Sequence, residues 1–128
     1  MPCEGLRVSQ IRIDYAFGLL LTEDQERAVD GPWGIRINTA FQYSWAGGAE
    51  TTIDPEGPGF KVAPALSVRH QMLTRARVER DGRLHLEFEN GAVIEVPTDD
   101  RYEAWEATGG DDANRTFLVS PIAPDTYS

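Results

Sequence analysis

The chain has 128 residues, a hydrophobic fraction of 41 %, a charged fraction of 26 % and a formal net charge of −9. That length fits a single domain, residues 1–128, able to bury a core without metals or disulfides, and no apolar run nears the roughly 20 residues of a membrane span. The negative charge argues against nucleic acid and anionic membranes as partners, which bind positive charge, and favours a basic protein partner.

The amino-terminal stretch has no basic region followed by an apolar run, so no secretion signal is expected. Cys3 is the only cysteine. It cannot form an intrachain disulfide, and a reducing cytoplasm is its natural setting. Eleven of the twelve basic residues are Arg and only Lys61 is Lys, a bias that codon usage in a GC-rich genome explains.

Strand signals dominate the first half. The segment VSQIRIDY carries β-branched residues at Val8, Ile11 and Ile13, and FGLLLT follows as a strand that could be buried on both faces. ERAVDGPW reads as a third short strand ending at Gly31-Pro32. GIRINTAFQYSW alternates with a period of two, placing Ile35, Ile37, Thr39, Phe41 and Tyr43 on one side. ETTID pairs back before the turn-rich DPEGPGF, where Pro and Gly exclude regular structure.

One short helix is expected from about Ala63 to Gln71. Pro64 suits a first helical position, and Val62, Leu66, His70 and Leu73 would share a face. A three-stranded meander then follows. LTRARVER leads to the tight-turn pair Asp81-Gly82, RLHLEFE puts Leu84, Leu86 and Phe88 on one face, and Asn90-Gly91 leads into AVIEVP.

Residues 8–32 align without gaps on residues 73–97, matching Ile13 with Val78, Leu19 with Leu84, Leu21 with Leu86, Val29 with Ile94 and Pro32 with Pro97. The expected fold is therefore α+β and mostly β, with about eight strands. Two antiparallel three-stranded meanders, a possible pseudo-repeat, would form a sandwich or partly closed barrel with one short helix. EAWEATGG and RTFLVSP would complete the second half as a hairpin around Gly109-Gly110-Asp111-Asp112. The core should run from about 5 to 120, with 121–128 a loose tail.

Most chemistry is disfavoured. His70, His85 and Cys3 offer no zinc spacing, and Asp54-Pro55-Glu56-Gly57 is not a calcium loop, so no metal or other cofactor is expected. There is no nucleophile elbow around Ser44, Ser67 or Ser120, and no phosphate-binding loop. His85 reads as a solvated strand histidine and His70 as a packing residue on the helix's inner edge. Asp99, Asp100, Glu103 and Glu106 could support glycoside hydrolysis only if they converged in one cleft. An enzyme is not expected.

The stretch DDRYEAWE sets two aromatics among carboxylates. Trp105 suits the core, with Tyr102 closing the end of a sheet; alternatively the segment is a protein-binding patch with an aromatic anchor in an acidic rim. The candidate contacts are Asp99, Asp100, Tyr102, Glu103, Trp105 and Glu106, with Asp111 and Asp112 in the next turn. The expected function is a non-catalytic binding domain, most concretely an immunity- or antitoxin-type protein neutralising a basic toxin. The alternatives are a small-molecule binder with a pocket between the meanders lined by Trp33, Phe41 and Trp45, or a carboxylate-based hydrolase.

The order RIDYAFGLLL, DGRLHLEFENGAVIEVP, DDRYEAWE and LVSP resembles a family of small uncharacterised bacterial proteins, mostly actinobacterial, with a Tyr-Glu-Ala-Trp signature at residues 102–105. The resemblance covers about residues 5–120 and is weaker over 31–60. It implies a shared fold and lineage but assigns no catalytic residues. GGDDANR enlarges this chain after Trp105, so any family surface there would differ.

Overall fold

The computed structural model describes residues 2–23, 32–110 and 116–119. Ten strands are described, in two five-stranded antiparallel sheets packed face to face as a sandwich rather than a closed barrel. The first sheet is ordered β1 (Arg7–Ile13), β2 (Phe17–Thr22), β3 (Trp33–Ile37), β9 (Trp105–Gly109), β10 (Thr116–Val119). The second is ordered β5 (Thr51–Ile53), β4 (Phe41–Trp45), β8 (Ala92–Val96), β7 (Leu84–Phe88), β6 (Leu73–Val78). The proposed strand over ERAVDGPW falls mostly on residues 24–31, outside the described residues.

The inward-facing residues of both sheets form one core. Leu19, Leu21, Ile35, Ile37 and Ala107 face Phe41, Ile53, Leu84, Leu86, Ile94 and Val96, all buried. Phe17 and Phe41 meet across the layers at a ring separation of 5.2 Å. Burial of aliphatic and aromatic surface on this scale, about 25 cal/mol per Å², drives the fold.

Several expectations require correction. GIRINTAFQYSW is not one strand: residues 38–40 carry the chain from β3 in the first sheet to β4 in the second. The alternation survives the crossing because both strands turn the same set of side chains to one core. FGLLLT is buried on one face only, with Gly18 half-buried and Leu20 exposed on the other. The helix is a 3₁₀ segment, Ala63–Val68, with Pro64 in its first turn. Three residues per turn bring Val62, Ala65 and Val68 inward and leave Leu66 exposed. His70 lies beyond it, exposed, with a positive φ of 67°.

The internal echo is borne out as an arrangement of strands. Each half of the chain gives a meander to one sheet and a hairpin to the other: β1–β3 with β4–β5, then β6–β8 with β9–β10. Both leading strands carry a register shift at corresponding places, between Val8 and Gln10 in β1 and between Leu73 and Arg75 in β6. The offset of 65 holds for these strands but not beyond them. Phe17 corresponds to Leu84 because the β6–β7 loop is two residues longer, and Ile37, partner of Phe17, corresponds to Val96, partner of Leu84.

The halves meet where β1 approaches β6, at an antiparallel bridge between Arg7 and Met72. Around it the hydrogen bonds come in matched pairs. Gly5 N donates to Leu73 O at 2.7 Å and His70 N to Val8 O at 2.7 Å; Leu73 N donates to Leu6 O at 2.8 Å and Val8 N to Gln71 O at 2.9 Å. Gly5 and His70 also share a left-handed backbone, with φ of 89° and 67°. An approximate two-fold axis therefore passes through this seam. It closes one side of the sandwich, while β5 and β10 are sheet edges among the described residues.

Candidate functional site

One end of the sandwich gathers four loops: residues 14–16, 38–40, 79–83 and 97–104. Phe17, Ile37 and Trp105 lie side by side at this end of the first sheet, and Leu84 pairs with Val96 at this end of the second. Tyr15 stands here 80 % exposed.

The DDRYEAWE segment crosses this end and enters β9. Trp105 is 1 % exposed, and its indole Nε1–H donates to Gly82 O at 3.0 Å. Its side chain is core and presents nothing to a partner. Asp99, only 10 % exposed, accepts from the Arg101 backbone N–H at 2.9 Å and from its guanidinium Nε and Nη2 at 3.1 Å each. The Arg101 side chain and backbone donors hold the Asp99 carboxyl below its ordinary value. Tyr102 is half-buried; its hydroxyl donates to Asn38 O at 3.3 Å, and the Arg101 guanidinium sits 5.4 Å from its ring centroid. Asp100 and Glu103 are exposed.

Glu106 points elsewhere, onto the outer face of the first sheet. The segment thus brings Asp99, Asp100, Tyr102 and Glu103 to one end and sends Trp105 and Glu106 away. The four carboxylates do not converge on one cleft. Asp111 and Asp112 lie outside the described residues.

That outer face is formed by two rows of directly paired residues. Gln10, Leu20, Gly34, Thr108 and Phe117 make one row. Arg12, Gly18, Arg36, Glu106 and Val119 make the other. The two glycines leave a trough of about 340 Å³ in the sheet surface. Sequence reasoning missed it, and also missed Tyr15. Arg12, Gly18 and Arg36 were visible as residues, but only the register between strands makes them neighbours.

The outer face of the second sheet is polar and self-satisfied. His85 is buried: its Nδ1 lies 2.5 Å from Glu95 Oε1 and its Nε2 2.7 Å from Glu87 Oε2. With both ring nitrogens held by carboxylates, His85 is a cross-strand tie rather than a solvated side chain. Its hydrogen bond depresses the Glu87 carboxyl, with Arg75 beside it acting in the same sense.

The residues expected to line a pocket between the meanders do not do so. Trp33 and Phe41 are packed in the core, and Trp45 is half-exposed. Cys3 is buried, which pushes its thiol up to about 11, the behaviour of a packing residue rather than a nucleophile. Among the described residues no group of three His, Cys, Asp or Glu side chains could hold a metal ion. No helix among them is long and apolar enough to cross a membrane.

Comparison with curated proteins and with solved structures gives no match. A family model does match, over residues 1–118, nearly the whole described fold. The chain belongs to the family of unknown function designated DUF6188.

Proposed function

We propose that the protein is a non-catalytic binding domain that takes a basic protein partner at the loop end of the sandwich, most concretely as an immunity- or antitoxin-type protein. The observation that carries this reading is the pairing of two aromatic side chains with exposed carboxylates at that end. Tyr15 projects into solvent, and Tyr102 is fixed by its bond to Asn38 O. Rigid aromatic anchors inside a charged rim are the usual composition of interface hot spots.

Arg83 and Arg101 are tied to Asp81 and Asp99, so much of their charge is spent locally. Asp100 and Glu103 remain exposed to steer an encounter. The single cysteine supports a reducing, cytoplasmic setting. The Tyr-Glu-Ala-Trp segment and the Arg bias support an actinobacterial lineage.

The test is titration of the native partner, recovered from the host, against the wild type and the double variant Asp100→Lys, Glu103→Lys. The expected result is affinity that falls with added salt and drops about tenfold or more in the variant. Unchanged, salt-insensitive binding by the variant would discard this surface.

A further inference from the structure

We propose that the outer face of the first sheet holds a site for a small planar anion, an aromatic or heteroaromatic carboxylate, lying over Gly18 and Gly34 between Arg12 and Arg36. This site lies on the sheet face, adjoining the loop end at Arg36, and does not depend on the reading given above.

The floor is the first argument. Gly34 pairs with Leu20, and Gly18 pairs with Arg36, so the two glycines are diagonal neighbours on one face, about 7–8 Å apart. Neither needs to be glycine for its backbone, since neither has a positive φ. A Cβ at Gly34 would meet nothing within 4 Å, and one at Gly18 would make only ordinary contacts at 3.5 Å or more. Close packing within the chain therefore does not explain either residue. Together they expose bare peptide planes where every other central position of this face carries a side chain. A flat ring can rest on such a floor, and Leu20, on the exposed side of β2, gives it an apolar flank.

Charge is the second argument. Arg12 and Arg36 stand on either side of Gly18, two strands or about 9–10 Å apart, a gap that two long guanidinium side chains can close on one carboxylate. In a chain of net charge −9, Arg12 has no carboxylate partner among the described residues. Arg36 is held in place and its charge is partly shared: its Nε donates to Asn38 Oδ1 at 3.0 Å, and its Nη2 forms an ion pair with Asp14 at 3.7 Å. Glu106, beside Arg36 in the same row, disfavours an anion placed toward β9 and so directs it to the Arg12 side.

Size is the third. The trough of about 340 Å³ falls at the lower end of the range for small-molecule sites, about 300–1,000 Å³. It suits a one- or two-ring molecule better than a protein segment.

The experiment uses 1-naphthoate as probe, its neutral analogue 1-naphthalenemethanol, and inorganic phosphate, followed by amide chemical shifts in the full chain. The expected result is saturable shifts centred on Gly18 and Gly34 with naphthoate, at least about tenfold weaker with the alcohol and with phosphate. Arg12→Gln and Gly34→Leu should each weaken naphthoate about tenfold or more without lowering the unfolding midpoint, because both positions face solvent. Phosphate binding as tightly as naphthoate, with no effect of Gly34→Leu, would reduce the site to bare charge and overturn the proposal. So would the absence of saturable shifts, or a concentration-dependent dimer that Gly34→Leu dissolves, which would identify a second copy as the occupant.

Discussion

The indole Nε1–H of Trp105 donates to Gly82 O at 3.0 Å, joining the first residue of β9 to the turn between β6 and β7 in the opposite sheet. The bond is buried, so removing the indole strands the Gly82 carbonyl. Trp105→Phe should destabilise by about 1–3 kcal/mol, and Trp105→Ala by about 3–5 kcal/mol. Denaturant unfolding measures both, and a Trp105→Phe variant as stable as the wild type would mean that the hydrogen bond contributes nothing.

Gly109 lies directly on the ring of Trp33. A Cβ there would fall far inside van der Waals contact with three indole atoms, Cγ, Cδ2 and Cε2. Gly109→Ala should cost about 1–3 kcal/mol and change the tryptophan emission as the indole is displaced. Adding Trp33→Leu should recover part of that loss; additive losses in the double variant would show that the two residues do not meet.

His70 holds a φ of 67°, where a side chain bearing Cβ is strained. Its counterpart across the axis is Gly5. Since His70 is exposed, His70→Gly should stabilise the fold by up to about 1 kcal/mol. Gly5→Val should do the reverse, by a similar or larger amount. A lowered midpoint for His70→Gly would mean that the imidazole contributes more than the backbone loses.

Acid should weaken the protein in a defined direction. Hydrogen bonds depress Glu87 through His85, Glu89 through the Met72 N–H and Arg7, and Asp99 through Arg101. Each is lowered in the folded state. Its contribution is complete above the ordinary carboxylate values of 4.5 for Glu and 3.8 for Asp, and is lost as pH falls through the folded value. Glu87 and Glu89 lie near solvent, so their part of the slope should be shallow. Glu89→Gln should flatten it further, and unfolding midpoints measured down through this range test the sign.

Much of the second sheet was legible. The 73–96 meander announced itself through inward Leu84, Leu86 and Phe88 and through two glycines, Gly82 and Gly91, which both take a positive φ in the turns. The crossing at residues 38–40 was not legible, because period-two alternation records which side chains face the core and not which sheet carries them. The 3₁₀ helix was misread for a related reason: over a single turn, spacings of three and of 3.6 differ by less than a residue. At the candidate sites, Trp105 could be placed from its size and neighbours. Arg12, Gly18 and Arg36 could not be brought together, since they lie on three strands and meet only through pairing.

The two-fold arrangement also bears on how the chain reaches its fold. β3 finds its second neighbour only when Trp105–Gly109 arrives, and β4 only when Ala92–Val96 does. Each half on its own would leave a central strand unpaired along one side. Such a contact order is high, and folding should be slow, on the order of milliseconds to seconds. A ribosome-bound chain stopped before Trp105 would expose β3 as a sticky edge, so β9 is also the strand on which the pairing of β3 depends.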